Sequence, residues 1–249
     1  MSNTLATLPA TEQATYWEKI AGTKWGTYVT EIEKRALLMA TELAGEPTVA
    51  LDIGCEGGRW SMLLADLGWN IICTDIDPTN LAICQRRIPQ ANCLLVGSDD
   101  SCIPCETDSL GLLLCLEVFK VIHADCFIDE SSRVLTPSGI LVGVVQNRFS
   151  HRALAHRFIS KLNLTRRRQH LLPYLYKFSY RAWKKRLIQS GFRIVHEEGI
   201  CWLPFGRSSN FFLIAQLIEM ERRLGLRYLT TLSPWIVFVA QKSAANSIK

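Results

Sequence analysis

Five short apolar runs alternate with helical stretches between residues 49 and 147, and this alternation restricts the fold of the 249-residue chain more tightly than any other feature. Val49 to Ile53, Asn70 to Thr74, Asn92 to Val96, Leu110 to Cys115 and Ile140 to Val145 have the length and β-rich composition of buried strands. Ser61 to Leu67, Asn80 to Arg87 and Asp125 to Leu135 supply helices between them, and Pro137, Ser138 and Gly139 turn the chain into the fifth strand. Parallel strands need such crossovers, so the pattern predicts βαβ units and a sheet covered on both faces. Ahead of it, Tyr28 to Ala44 repeats Ile32, Ala36, Met39 and Leu43 on one helix face until Gly45 and Pro47. Behind it, Ser179 can cap a helix ending at Ser190-Gly191, followed by a strand from Phe192 to Glu197. Ser208, Ser209 and Asn210 offer caps for a helix over Phe211 to Leu224, and Trp235 to Ala240 reads as the seventh strand.

Charge divides the chain into four segments. Residues 1–48 sum to −2, 49–147 to −8, 148–186 to +12 and 187–249 to +3. We read them as an N-terminal helical cap, a cofactor-binding core, a basic aromatic-rich lid insertion, and C-terminal strands and helix that complete the sheet. The basic segment holds no Asp or Glu and interleaves Phe158, Tyr174, Tyr176, Phe178, Tyr180 and Trp183 with its cations. It predicts either a solvated face or contact with something anionic: a lipid surface, a carboxylate or phosphate substrate, or nucleic acid. Apolar runs fall short of the ~18 residues of a membrane span. Met1 to Thr15 lacks the basic start and apolar core of a secretory signal, so the expected location is cytoplasmic, with peripheral membrane contact open. Nine cysteines, mostly inside apolar runs, read as reduced thiols. Cys102-Ile-Pro-Cys105 has metal or redox spacing, but no second pair or histidine completes it, and no metal site is expected.

A glycine-containing turn, Gly54-Cys55-Glu56-Gly57-Gly58, sits between the first strand and its helix, where a nucleotide-type cofactor binds in doubly wound folds. A dinucleotide fingerprint offers bare backbone N–H groups to a pyrophosphate, whereas here Glu56 would set a carboxylate against it. At ~4 Å and an effective dielectric of ~20 that contact costs about 4 kcal/mol. Asp52, Glu56, Asp75, Asp77, Asp99 and Asp100 gather at the same sheet edge and favour a cationic ligand. Asp75 stands near the ~20-residue offset at which a carboxylate grips ribose. A ribose combined with positive charge and no phosphate suggests S-adenosylmethionine.

With Leu51-Asp-Ile-Gly-Cys-x-x-Gly, Thr74-Asp75-Ile76-Asp77-Pro78, Gly97 to Pro104, Leu116-Glu117-Val118 and Arg133 to Val142, the chain resembles the class I S-adenosylmethionine-dependent methyltransferases, in the methyltransferase type 11-like small-molecule branch. The resemblance runs from about Val49 to Asn147. It implies a Rossmann-like, doubly wound, mostly parallel seven-stranded sheet with an antiparallel last strand. It also implies that Asp52 and Gly54 border the methionine part of the cofactor, Asp75 the ribose, Ile76 one adenine face and Asp99 the adenine amino group, with Cys55, Glu56, Gly58, Asp100 and Leu116 also in the cofactor site. Two positions depart from the family: Glu56 replaces a glycine, and Val121 replaces a histidine found after the fourth strand in many members.

The activity implied is in-line transfer of a methyl group to a small-molecule or lipid-like acceptor, anionic if the basic segment contacts it. Glu117 and His123 are the candidates for removing a proton, and Trp25, Tyr28 and Tyr176 for contacting the acceptor. Competing readings are a noncatalytic binding module of the same fold, an enzyme acting on RNA, which lacks a recognised RNA-binding module here, and one acting at a membrane surface. Oligomeric state is not legible.

Overall fold

The computed structural model describes residues 14–98, 102–161 and 178–244. Two helices, α1 (Tyr16–Ala21) and α2 (Lys24–Ala44), lead into β1 (Val49–Ile53), α3 (Arg59–Asp66), β2 (Asn70–Asp75), α4 (Pro78–Arg87), β3 (Asn92–Leu95) and β4 (Leu110–Cys115). Next come α5 (Phe119–Ile122), α6 (Phe127–Val134), β5 (Leu135–Gln146), α7 (His151–Lys161), α8 (Tyr180–Gln189), β6 (Phe192–Ile200), α9 (Ile214–Arg223) and β7 (Trp235–Lys242). The strands form a seven-stranded sheet in the order β3-β2-β1-β4-β5-β7-β6, with β7 antiparallel to both neighbours and the β3 to β5 portion parallel. This is the Rossmann-like, doubly wound architecture expected from the sequence.

Period-two alternation sorts the side chains of β4 between two apolar layers. Leu112 and Leu114 pack on one face with α2 residues Trp25, Ile32, Ala36 and Leu37; Leu113 and Cys115 pack on the other with Ile122, Phe127, Trp183 and Phe238. Burial on both faces explains why β4 reads as an uninterrupted apolar run. The strand order reverses between β1 and β4, so the crevice at their carboxyl ends is where a ligand fits this topology.

Most boundaries shift by a few residues from the sequence reading, and three features differ in kind. The turn expected at Pro137 to Gly139 is a bulge inside one longer strand: Leu110 pairs with Leu135 and Leu112 with Ile140, and Ser138 has φ of 68°. Helix α9 begins at Ile214 rather than Phe211, and its N-cap residue Leu213 makes no side-chain cap bond, so Ser208, Ser209 and Asn210 serve other roles. The end of the basic segment belongs to the core rather than to a lid. Tyr180, Trp183 and Leu187 of α8 are buried, and the Trp183 indole donates to the Ile122 carbonyl at 3.3 Å. Among the described residues no helix is long and apolar enough to cross a membrane, and all nine cysteines are free thiols.

Leu114 is fully buried at the centre of the sheet, and Leu95 is an exposed side chain on the edge strand. Leu114→Ala is expected to lower unfolding free energy by about 2–5 kcal/mol and Leu95→Ala by less than about 0.5, measured by urea denaturation.

Candidate active site

The loop after β1 is closed by its own backbone. The N–H groups of Gly54 and Cys55 both donate to the Thr74 carbonyl at 2.8 and 3.0 Å. The Glu56 N–H donates to Asp75 Oδ2 at 2.9 Å, and that of Gly58 to the Cys55 carbonyl at 2.9 Å. These four amides are therefore spent on the chain, and a loop holding them this way has no such row of donors for a pyrophosphate. The second Asp75 oxygen takes the Asp77 N–H at 2.9 Å, which fixes the carboxylate at the tip of β2. Ile76 beside it is 63% exposed, an open apolar plate. Gly54 has φ of 71°, and a Cβ there would lie 2.5 Å from Val118 Cγ2, so only glycine fits against the end of β4.

Glu56 accounts for its own departure from glycine. Its carboxylate accepts the Trp17 N–H at 3.0 Å and so ties the start of α1 to the loop. Arg87, with a side chain only 2% exposed, reinforces the tie by donating to Glu18 at 2.5 Å and to the Gly57 carbonyl at 2.8 Å. Thr15 and Glu18 form a reciprocal capping box on α1. That helix rests on Gly26 of α2, where a Cβ would stand 1.9 Å from the Ile20 carbonyl oxygen.

Beneath α1 and α2 lies a cleft of about 120 Å³, bounded by Trp17, Glu33, Gly54, Arg59, Glu117 and Arg207 among others. Glu117, at the end of β4, holds a φ of 63°, and its carboxylate pairs with Arg207 at 2.5 Å. The Arg207 guanidinium lies 4.3 Å from the Trp17 ring centroid and 4.6 Å from that of Trp235, which locks its plane. Arg59 donates to Thr30 at 3.0 Å and stands 3.6 Å from Glu33 Oε2. Glu33 is 1% exposed, and its Oε1 has no hydrogen-bond partner among the described residues. Burial, then the Glu117 charge, pushes the Glu33 carboxyl up to about 8; burial also raises Glu117.

The expected site residues distribute unevenly. Gly54, Cys55, Glu56, Leu116 and Glu117 line the cleft together. Asp52 does not: strand alternation turns it toward α3, where it accepts the Ser61 hydroxyl at 2.6 Å and burial pushes its carboxyl up to about 7. Gly58 packs on Cys84 instead of lining the cleft. Trp25 is 1% exposed, wedged against Tyr28 and Phe205, and Tyr28 donates to Glu221 at 2.5 Å beside a separate cavity between α2 and α9. Neither reaches the cleft, because the inward face of α2 there is Gly26, Val29, Thr30 and Glu33. His123 is likewise absent from the cleft: it stacks 4.9 Å from Phe178, its Nε2 accepts the Gln146 N–H at 3.4 Å, and burial lowers it to about 4. Asp99, Asp100 and Tyr176 lie outside the described residues.

Of the charged residues of the cleft, Glu33, Arg59 and Arg207 escaped the sequence reading. Glu33 interrupts the i, i+4 stripe of Val29 and Leu37, and a lone acid in an apolar stripe is the signal that marks it. Arg207 comes from the loop after β6 and carries no local signal.

Comparison with known proteins agrees with this fold. Residues 51–143 match the model of a methyltransferase domain family. An uncharacterised methyltransferase-like protein of Schizosaccharomyces pombe is 29% identical over 106 residues, a match spanning 42% of this chain and 40% of the relative. Among solved structures, the [4+2]-cyclase SpnF superposes with a TM-score of 0.59 at 14% identity, covering 90% of this chain and 84% of that one. A geranyl diphosphate C-methyltransferase from Streptomyces coelicolor, solved with geranyl diphosphate and S-adenosyl-L-homocysteine, gives 0.55 at 14% identity, covering 94% and 86%.

Gly26→Ala is expected to lift α1 from α2 and raise hydrogen-exchange rates of amides 15–21 while leaving those of β1 and β4 unchanged. Equal protection of α1 in both proteins would contradict the close approach.

Proposed function

We propose that this chain, a class I S-adenosylmethionine-dependent methyltransferase by its fold and by the methyltransferase domain of residues 51–143, methylates a nucleophile that carries a removable proton, with Glu33 as the acceptor of that proton. The unpartnered Glu33 Oε1 in the cleft carries this reading. A buried carboxylate oxygen without a donor is costly, and a substrate hydroxyl or amine that donates to it removes the cost.

When bound, S-adenosylmethionine supplies a methyl group already activated on a sulfonium sulfur. The chain's residues then bind and orient. Asp75 keeps a fixed carboxylate for the ribose hydroxyls, and Ile76 offers an apolar face to the adenine. Gly54 admits the ligand close to the backbone, and the Glu56 carboxylate of the loop, which among the described residues pairs with no cation in the cleft lining, suits its positive charge. Helix α1, tied down through Glu56 and Arg87, excludes water from above, so the nucleophile and methyl carbon meet in a restricted volume. Arg59 and Arg207 hold Glu33 and Glu117 apart and oriented. A cation entering the cleft favours ionised Glu33, which converts the neutral acid of the free protein into a base where it is needed.

Exposed aromatic side chains at the start of α1 and ahead of α9 suit an amphipathic acceptor. Tyr16 is 67% and Phe212 68% exposed, and the Ser209–Asn210 loop is bonded to the start of α2 through the Trp25 and Lys24 amides. Arg152 of α7 donates to the Phe205 carbonyl at 3.1 Å, which brings one cation beside the Phe205–Phe211 pair. An acceptor with an apolar body and an anionic end, free or at an anionic membrane surface, suits such an arrangement. The similar Streptomyces coelicolor protein, with its geranyl diphosphate, offers a precedent for that chemistry.

The kcat/KM of the free protein is expected to rise with pH through about 8 as Glu33 ionises, with the kcat limb at lower pH. Glu33→Gln should lower kcat by roughly 10²-fold or more and remove that limb, while binding of S-adenosylhomocysteine stays within a few-fold. A retained limb would overturn the role of Glu33. Tight cofactor binding without methyl transfer to any of a broad panel of hydroxyl, amine and prenyl acceptors would favour a noncatalytic module. Cosedimentation with vesicles containing phosphatidylglycerol, weakened by Phe212→Ser, is expected if the acceptor resides in a membrane. Salt-sensitive binding of RNA instead would favour the RNA reading.

A further inference from the structure

Three thiols meet underneath the cofactor loop although they come from three separate elements. Cys55 sits in the loop itself, Cys73 near the end of β2, and Cys84 on the inner face of α4, and all three are buried. Their sulfur atoms lie within 4.8 Å of one another, with Cys84 and Cys73 at 3.4 Å. Sulfurs sharing one tetrahedral or trigonal ion at ~2.3 Å stand about 3.7–4.0 Å apart, so side-chain adjustments of a fraction of an ångström complete the geometry. The trio also has a polar backing that a purely apolar cluster lacks. Cys73 donates to Ser61 Oγ at 3.3 Å, and Ser61 donates to Asp52 at 2.6 Å, which places a carboxylate one hydroxyl away from the sulfurs.

We propose that Cys55, Cys73 and Cys84 form a binding site for a divalent thiophilic cation of the zinc type. Thiolates select soft and borderline d¹⁰ ions over calcium or magnesium, and ligands from three elements that pack together anyway suit a site with little ordering left to do. On binding, three S–H bonds break, three metal–sulfur bonds form, and three protons leave to solvent. The product is a trithiolate complex of net charge −1, with no change of oxidation state. The route in is through the cleft, which Cys55 lines. The Cys55 N–H is one of the two that close the loop on Thr74, so the bound ion would staple the cofactor loop to β2 and α4. Cys93, half-buried on β3 beside Cys73, and the exposed Cys102 remain outside the ligand set.

Cadmium is the spectroscopic probe, added to the reduced full chain carrying Cys102→Ser and Cys105→Ser. The expected result is a thiolate-to-metal charge-transfer band in the near ultraviolet that saturates at one ion per chain. Three thiols should lose reactivity toward a disulfide reagent, and the melting temperature should rise with zinc concentration. Cys73→Ser or Cys84→Ser should weaken cadmium binding at least hundredfold, and Cys93→Ser should leave it within a few-fold; circular dichroism verifies that each variant is folded. Absence of the band in the folded parent, or equal binding by a folded Cys84→Ser variant, would overturn the site. Since none of these readouts involves methyl transfer, the outcome is separate from that of the proposed function.

Discussion

The structure turns on how the loop after β1 satisfies its own amides. Two N–H groups share the Thr74 carbonyl and a third takes Asp75, so the loop is sewn to the tip of β2 before any ligand arrives. A backbone closed in this manner keeps the turn tight and holds Asp75 in place. It also withdraws those amides from anion binding, which separates this crevice from the phosphate-cradling turns built on the same topology. Glu56 extends the logic: its charge would oppose a phosphate, and the carboxylate is used instead to anchor the helix above.

That anchorage connects the sheet to the cleft's roof. Helix α1 has only six residues, too few to be stable alone, and it persists through the capping box, the Glu56 and Arg87 contacts, and its seat on Gly26. Under it, two arginines and two glutamates occupy a space sheltered from water, where each charge is worth more than at the surface and each unpaired atom costs more. The unpartnered oxygen of Glu33 stands out for that reason. The cyclase of similar fold shows that this scaffold does not by itself dictate a reaction, and the chemistry has to be argued from these side chains.

Much of the architecture is legible in the sequence because it follows from burial. Strands β1 and β4 have the boundaries that their apolar runs predict, since both are covered on two faces and bounded by turn residues. Helix α1 falls within the helical cap read over residues 1–48, but its bounds are not legible there, although Thr15-x-x-Glu18 is a capping signature, because six residues show no periodicity. The start of α9 is misplaced because Phe211 to Leu213 are apolar yet exposed. In the site, the loop residues follow from the motif, but Asp52 is taken up by the Ser61 hydroxyl of α3 and helix rotation carries Trp25 and Tyr28 away from the cleft. Glu33 and Arg207 join it through contacts between distant segments, which a linear pattern does not encode.

Titration calorimetry of the purified chain with S-adenosylhomocysteine and, separately, with NADH distinguishes a crevice for a phosphate-free nucleoside from one for a dinucleotide. A crevice whose loop amides are internally spent and whose loop carries the Glu56 carboxylate should bind the phosphate-free nucleoside with one-to-one stoichiometry and give no heat with the dinucleotide. Saturable binding of NADH, with none of S-adenosylhomocysteine, would contradict it.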